Sequence, residues 1–280
     1  MKNTNLPCSR MPVAESDSWK IYCGDAREVI KDSMPDESVD CIITSPPYYS
    51  QRDYQVDGQI GLESTIDEYV GKLVGVFREA RRSLKSDGLL FLNIGDTYYS
   101  AKGLPKGDDK KHRARRFGLR PVDGPGLGLP RKSLIGIPWR VALALQSDGW
   151  TLRSSVIWMR DGAMPEPTAK DRPWRTYENV FIFSKSPKYY FNRDALEGDE
   201  DVWRISARPR REDRVHVAPF PDALVERCIA TGGREDAVIL DPFLGSGTTA
   251  RVAVSMGRKA IGIDLNPDYC KHAIARLGVE

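Results

Sequence analysis

Hydrophobic positions along the chain follow two patterns, short apolar runs and longer segments with one apolar face. The short runs are rich in β-branched residues and end at turn residues, as buried strands do. The longer segments repeat apolar residues every three or four positions, as helices with one buried face do. The predicted strands are Trp19–Cys23, Val39–Thr44, Leu89–Ile94, Leu152–Met159, Asn179–Ser184, Val238–Leu240 and Ala260–Ile263. The predicted helices are Ala26–Asp32, Ser64–Leu84, Pro138–Ser147, Pro221–Thr231, Thr248–Met256 and Pro267–Leu277.

This alternation of strands and helices predicts an α/β fold with a doubly wound, mostly parallel sheet covered on both faces. The 280 residues are enough for one such domain with a large core. We expect a catalytic domain over residues 19–280, preceded by a polar, flexible arm over residues 1–18. Two loop-rich regions, 98–135 and 160–215, interrupt the pattern and are candidate insertions.

Charge is concentrated in the first of these insertions. The whole chain carries a net charge of only +3, whereas Lys102–Lys132 holds ten Lys or Arg and three Asp, a local balance of +7. Such a segment would attract a polyanion and gain from counterion release. Taken alone, the segment is better interpreted as a solvated, mobile loop.

The cysteines, the histidines and the lengths of the apolar runs argue against several kinds of site and segment. The five cysteines form no CxxC pair and the three histidines are scattered, so we expect neither a metal site nor a disulfide framework. No run of about 18 apolar residues is present, so we expect no membrane span. The N-terminus has no hydrophobic leader, and we expect a cytoplasmic, nucleoid-associated protein.

The first motif with chemical content is the glycine-rich segment Asp241–Ala250, which links a strand to a helix. Gly245 and Gly247 let the backbone approach a ligand, and the helix N-terminus offers unpaired N–H groups. Asp264 ends the next strand, where an acid meets ribose hydroxyls in dinucleotide folds. This pattern alone is compatible with NAD and an oxidoreductase, although few residues follow it to complete a dinucleotide-binding domain.

The second motif is Thr44–Tyr48, in which two prolines directly follow a buried strand. They predict a rigid bend at the carboxyl edge of the sheet, where open α/β sheets bind ligands. The bend would aim the Ser45 hydroxyl and the Pro46 carbonyl at one point, beside the aromatic face of Tyr48. This arrangement suits a planar heterocycle that carries an amino group.

Together, the two motifs resemble those of the DNA amino-methyltransferases, over nearly the whole chain. The order, with the catalytic loop first and the cofactor loop last, resembles the circularly permuted β-class. The resemblance implies an S-adenosylmethionine-dependent methyltransferase fold and S-adenosylmethionine as the cofactor. It implies a catalytic loop of Ser45, Pro46, Pro47 and Tyr48. It implies cofactor contacts from Asp25, Phe220, Asp241, Phe243, Gly245, Ser246, Gly247, Thr248 and Asp264.

The same resemblance suggests which amine is methylated. Ser45 as the first letter of the loop resembles the cytosine-N4 enzymes, whereas Asp or Asn there is commoner in adenine-N6 enzymes. The predicted substrate is therefore a flipped-out cytosine in double-stranded DNA, with adenine N6, RNA or a protein amide as alternatives. Glu178-Asn-Val180 spells a motif of cytosine-C5 enzymes, but no sheet loop carries their Pro-Cys nucleophile. We interpret Glu178 as a residue that leads into a strand.

DNA contacts are expected from the basic loops between the two motifs. The candidates are Lys110, Lys111, Arg113, Arg115, Arg116, Arg208, Arg210 and Arg211. A cognate restriction endonuclease and a homodimer are partners that the resemblance leaves open.

Overall fold

We describe the protein from a computed structural model, which covers residues 11–103, 120–162, 166–167, 169–196, 198, 200–207 and 221–278. The described residues form one nine-stranded sheet in the order β1-β2-β9-β8-β3-β4-β6-β5-β7. The strands are β1 (Ala14–Glu15), β2 (Trp19–Cys23), β3 (Val39–Thr44), β4 (Leu84–Ile94), β5 (Thr151–Asp161), β6 (Tyr177–Ser184), β7 (Val202–Ser206), β8 (Val238–Asp241) and β9 (Lys259–Asp264). Of these strands, β1 and β6 run against the other seven. The prediction of a mostly parallel sheet is thus confirmed.

Six α-helices in the described ranges cover both faces of this sheet. They are α1 (Ala26–Ser33), α2 (Ile66–Ser83), α3 (Ile137–Ser147), α4 (Asp222–Gly232), α5 (Thr248–Ser255) and α6 (Pro267–Arg276). Helices α1 to α3 contribute to one apolar cluster and α4 to α6 to a second, which confirms the doubly wound arrangement. None of these helices combines the length and apolar character needed to cross a membrane.

Strand β3 shows why short apolar runs become interior strands. Ile42 packs into one apolar cluster, and its neighbours Cys41 and Ile43 pack into the other. Successive strand residues point to opposite faces, so a strand covered on both sides must be apolar throughout. The run ends at Thr44, because the prolines that follow have no N–H to donate to the ladder.

Helix α2 begins at a capping box. The Thr65 hydroxyl accepts from the backbone N–H of Glu68, whose carboxylate accepts from the backbone N–H of Thr65. These bonds satisfy backbone donors that a helix start leaves unpaired. Tyr69, Leu73 and Phe77 follow at helical spacing and are fully buried.

Several boundaries differ from the sequence prediction. Strand β1 lies inside the predicted flexible arm and pairs with β2, so residues 14–15 belong to the sheet; residues 1–10 lie outside the described residues. Strand β7 lies in the predicted loop 160–215, where its alternation of exposed and buried residues is too short to stand out. Helix α2 ends at Ser83 and β4 starts at Leu84, five residues before the predicted start of this strand at Leu89.

The described ends of the 98–135 insertion pack against the domain. Tyr98 bridges to Leu134, and Pro121–Asp123 forms a short 3₁₀ turn. Asp96 accepts from the backbone N–H groups of Gly136 and Ile137 at the start of α3. The two described ends of the insertion therefore lie side by side, near the carboxyl end of β4.

Candidate active site at the carboxyl edge of the sheet

The loops that follow the parallel strands β2, β3, β8 and β9 meet at one edge of the sheet. They line a single cavity of about 600 Å³. Strand β6 runs the other way, so its first residues reach the same edge. The cavity therefore collects side chains that lie far apart in the sequence, as expected at the carboxyl edge of an open α/β sheet.

A direct hydrogen bond connects the two predicted motifs. Asp241, the last residue of β8, is 2% exposed. Its Oδ1 accepts from the Thr44 hydroxyl at 2.7 Å and from the Phe243 N–H at 3.0 Å. Thr44 is the last residue of β3, the strand beside β8, and the proline loop starts at the next residue. This bond holds the two loops in a defined relation across 197 residues of sequence.

Asp264 holds the glycine loop from the end of β9. Its carboxylate accepts from the Gly245 N–H and the Asn266 N–H, both at 2.8 Å. Burial raises the pKa of Asp241 and of Asp264 to about 6, and the neighbouring charge of Asp241 adds to the rise at Asp264. Two carboxyl groups with raised pKa therefore lie at the wall of the cavity, where a positive charge would stabilise their ionised forms.

Gly245 and Gly247 are required for different structural reasons. Both have a positive φ, +53° at Gly245 and +81° at Gly247. A Cβ on Gly247 would lie 2.7 Å from the Cβ of Ala273, so this glycine lets α6 pack closely. A Cβ on Gly245 would meet no atom closer than 4.0 Å, and Gly245 itself lines the cavity.

Three further residues predicted to contact the cofactor, Asp25, Ser246 and Thr248, also line the cavity. Asp25 caps α1 by accepting from the Glu28 N–H at 3.1 Å, and it lines the cavity. Ser246 and Thr248 are buried with their hydroxyl oxygens 3.4 Å apart.

The proline loop is braced from behind. The Tyr69 hydroxyl donates to the Pro47 carbonyl at 2.9 Å, and the rings of Tyr49 and Tyr69 pack with centroids 5.2 Å apart. Gly95 lies against the Tyr48 ring, since a Cβ there would be 2.6 Å from Tyr48 Cε2. The ring of Tyr48 therefore has a backbone wall on one side.

The hydroxyl of Tyr48 lies at the centre of a polar cluster. Ser45 Oγ donates to it at 3.2 Å, Glu178 Oε2 is 2.7 Å away and Asn93 Oδ1 is 3.0 Å away. Burial raises the pKa of Tyr48 well above its usual value, and the charge of Glu178 adds to this. Tyr48 is therefore a neutral phenol that both donates and accepts hydrogen bonds.

Glu178 is a site residue that the sequence interpretation missed. Its Oε1 accepts from Arg160 at 2.9 Å, and its Oε2 also accepts from the Asn93 amide at 3.2 Å. All three residues line the cavity. The available signal was a charged residue at the start of an apolar strand, but only antiparallel pairing of β6 with β4 and β5 brings it to this edge.

The cavity lining thus includes most of the predicted site. It contains Asp25, Ser45, Pro46, Pro47, Tyr48, Asp241, Phe243, Gly245, Ser246, Thr248 and Asp264. Gly247 lies in the same loop, packed against α6. The other predicted residues lie outside the described residues: Phe220, Lys110, Lys111, Arg113, Arg115, Arg116, Arg208, Arg210 and Arg211.

The mostly parallel sheet, the glycine loop at its carboxyl edge and the acid at the end of the next strand are features of the S-adenosylmethionine-dependent methyltransferase fold. Solved structures share it. The PvuII DNA methyltransferase (cytosine-N4-specific) aligns with a TM-score of 0.74 and 23% identity, covering 98% of this chain and 91% of that one. A putative DNA modification methylase from Thermus thermophilus, complexed with S-adenosyl-L-methionine, aligns with a TM-score of 0.64 and 25% identity, covering 92% of each chain.

The chain belongs to the DNA methylase family, whose N6/N4 methyltransferase model matches residues 39–275. It is 44% identical to the type II methyltransferase M.Cfr9I of Citrobacter freundii, covering 92% of this chain and 87% of the relative. It is 41% identical to the type II methyltransferase M.SmaI of Serratia marcescens, covering 93% and 91%. The protein is thus a DNA methyltransferase, and the oxidoreductase alternative is set aside.

S-adenosylmethionine is the cofactor, and the residues present fit it. The cavity wall offers the carboxyl groups of Asp25, Asp241 and Asp264 to a molecule that carries a sulfonium and ribose hydroxyls. Phe243 adds an aromatic ring, and the N-terminus of α5 adds backbone N–H groups. The expected cofactor is confirmed, and the roles of individual residues are part of the proposal below.

Proposed function

We propose that this DNA methyltransferase methylates the exocyclic N4 amine of cytosine. One observation carries the proposal: the Ser45–Tyr48 loop and the glycine loop line one cavity and are tied by the Thr44–Asp241 hydrogen bond. The serine that opens the proline loop favours cytosine N4 over adenine N6. The PvuII DNA methyltransferase, which shares the fold, is named as cytosine-N4-specific, so the fold is compatible with methylation of cytosine N4.

In this proposal, the proline loop holds the base. The Ser45 hydroxyl and the Pro46 carbonyl accept from the amine and direct its lone pair, while the Tyr48 ring stacks on the pyrimidine. The target cytosine leaves the DNA stack, because its amine is not accessible for in-line attack inside the duplex. Gly95 and the Tyr48 hydrogen bonds keep the ring in place before the base arrives. Catalysis then rests on positioning rather than on a covalent enzyme intermediate.

The other half of the cavity holds the cofactor. S-adenosylmethionine supplies a methyl group on a positively charged sulfur, which a nitrogen lone pair can attack directly. Asp264 would accept from the ribose, Phe243 would pack against the methionine end, and Asp25 would lie near the adenine. The buried carboxyl groups of Asp241 and Asp264 favour the cationic cofactor electrostatically.

Sequence recognition is assigned to the two insertions. At the described rim, the guanidinium of Arg172 stacks 3.9 Å from the ring centre of Tyr98, and Arg175 lines the cavity. Glu166 pairs with both arginines. These cations would meet phosphates beside the flipped base. A cognate endonuclease, a homodimer and a cytoplasmic location stay predictions.

The decisive experiment identifies the methylated nucleoside. Unmethylated DNA is incubated with the full-length protein and S-adenosylmethionine, digested to nucleosides and analysed by mass spectrometry. We expect N4-methylcytosine from the wild type and almost none from Ser45→Ala or Tyr48→Ala. Tyr189→Phe, outside the cavity lining, is the matched control and should keep wild-type activity. N6-methyladenine as the product would overturn the cytosine assignment and leave the DNA methyltransferase assignment intact.

A further inference from the structure

A chain of hydrogen-bonded oxygen atoms leads from the proline loop to Glu178. Ser45 Oγ is 3.2 Å from Tyr48 Oη, which is 2.7 Å from Glu178 Oε2. All three residues line the cavity in which the base is proposed to bind. The chain therefore connects the site of the reacting amine with an acidic side chain that the methyl transfer itself does not need.

The chain has a defined direction. Tyr48 has one hydroxyl hydrogen and two acceptors within reach, Glu178 Oε2 at 2.7 Å and Asn93 Oδ1 at 3.0 Å. The nearer acceptor is the charged one, and charge-assisted bonds are the stronger. The hydrogen of Tyr48 therefore points to Glu178, and its lone pairs remain free to accept from Ser45.

Glu178 is held rigidly as the end of this chain. Arg160 binds Oε1 at 2.9 Å and the Asn93 amide binds Oε2 at 3.2 Å. The side chains of Glu178 and Arg160 are 15% and 25% exposed. These two donors, one on each carboxylate oxygen, keep Oε2 of Glu178 aimed at Tyr48.

We propose that Ser45, Tyr48 and Glu178 form a relay that removes the surplus proton of the methylated amine, a step that rests on the proposed function above. As the new N–CH₃ bond forms, the exocyclic nitrogen becomes cationic. Its N–H bond breaks and the proton goes to Ser45 Oγ. The Ser45 hydrogen moves to Tyr48 Oη, and the Tyr48 hydrogen moves to Glu178 Oε2. No redox partner is needed, and Glu178 returns its proton to water when the product leaves.

The energetics allow a carboxylate paired with Arg160 to serve as the acceptor. The cationic exocyclic nitrogen is a much stronger acid than a carboxylic acid, since losing the proton restores conjugation of its lone pair with the ring. Transfer to Glu178 is therefore downhill, and the ion pair with Arg160 is restored when Glu178 is deprotonated again.

Two conservative variants break the relay at different atoms. Tyr48→Phe keeps the stacking ring and removes the hydroxyl, whereas Glu178→Gln keeps an acceptor for Tyr48 that cannot take up a proton. We expect each to lower the single-turnover methylation rate by about 100-fold, the size of a lost acid–base contribution. A 2-aminopurine at the target position should still report base capture. The wild-type solvent isotope effect should disappear in both variants, and Glu178→Asp should recover part of the rate.

A measurement on cofactor-free protein tests the chain without turnover. With ¹³Cζ-labelled tyrosine, the Tyr48 resonance is assigned by its absence in Tyr48→Phe. Loss of the carboxylate in Glu178→Gln should shift it, whereas Glu15→Gln, which removes a charge paired with Lys20 on the edge strand, should not.

The relay and the proposed function fail in different ways. An active wild type with unchanged rates and isotope effects in both Tyr48→Phe and Glu178→Gln would overturn the relay alone. A wild type that makes no methylated base would overturn the function. A product methylated on adenine would leave the relay intact, because its amine loses a proton in the same way.

Discussion

The two halves of the cavity are constructed differently. In the cofactor half, buried carboxylates accept from backbone N–H groups, as Asp264 does from Gly245 and Asn266. In the base half, side chains from four strands or strand ends hold one another, with Tyr48, Asn93, Arg160 and Glu178 in one cluster. Backbone contacts follow from local sequence, whereas side-chain clusters depend on how strands pair. The cofactor half is therefore predictable from sequence motifs, whereas in the base half a motif predicts the proline loop but not the side-chain cluster around the Tyr48 hydroxyl.

The largest expected effect is a loss of cofactor affinity caused by a substitution in the cofactor half and not by one in the base half. Asp264→Ala removes the acceptor that holds the glycine loop and the proposed ribose contact. We expect S-adenosylhomocysteine to bind about 100-fold more weakly, because bonds to a charged group are worth roughly 1.5–3 kcal/mol each. Calorimetric titration checks this. Tyr48→Ala is the control in the other half and should bind within about twofold of wild type; equal losses in both variants would show that the halves are not separable.

The next effect concerns packing under the glycine loop. Gly247→Ala places a methyl group 2.7 Å from Ala273 Cβ on a backbone with φ of +81°. We expect the free energy of unfolding to fall by about 2 kcal/mol, from overpacking and left-handed strain. Urea denaturation measures it. The same change at Gly257 has open space around it and should cost less; a Gly247→Ala protein as stable as that control would argue against the close packing.

Adding a methyl group at Gly95, in the base half, should lower the methylation rate. Gly95→Ala would place its Cβ 2.6 Å from the Tyr48 ring and displace that ring. We expect methylation to fall by about tenfold, the loss of roughly 1.4 kcal/mol of transition-state stabilisation. Cofactor affinity should stay within about twofold of wild type. If S-adenosylhomocysteine binding falls as far as the rate does, Gly95 supports both halves.

The smallest effect is a pH dependence of the cofactor half. With a pKa of about 6, Asp264 loses most of its negative charge between pH 7.5 and 5.5, so cofactor binding should weaken by about fourfold. The sign for stability is opposite. The folded state binds the proton more tightly than the unfolded state, whose carboxyl groups have a pKa near 3.8. Relative to Asp264→Asn, the cofactor-free wild type should therefore become more stable as the pH falls from about 6 to 4.

Asp264→Asn is the control for both pH measurements. It removes the titrating group and keeps a side chain of similar shape. Its cofactor affinity should be weaker than wild type at pH 7.5 and should depend less on pH, since Asp241 still titrates. A variant that retains the wild-type pH dependence would assign the titration to Asp241 or to another group.

Much of the fold could be predicted from the chain itself. The runs that became β2, β3, β8 and β9 are apolar enough to be recognised alone, and the helices between them carry apolar faces. Strand β7 was not predicted from the sequence, because its five residues alternate in exposure within a polar region. It forms only by pairing with β5. Strand β1, only two residues long, depends on β2 in the same way.

The sequence by itself determined the class of fold, the cofactor loop and the proline loop. These features reside in short contiguous segments, where glycine, proline and apolar residues restrict the backbone locally. Only the tertiary structure decided that Glu178, Arg160 and Asn93 belong to the site. Their side chains meet Tyr48 because β6 runs antiparallel between β4 and β5. Strand order and direction depend on the free energy of the whole sheet, which no local pattern specifies.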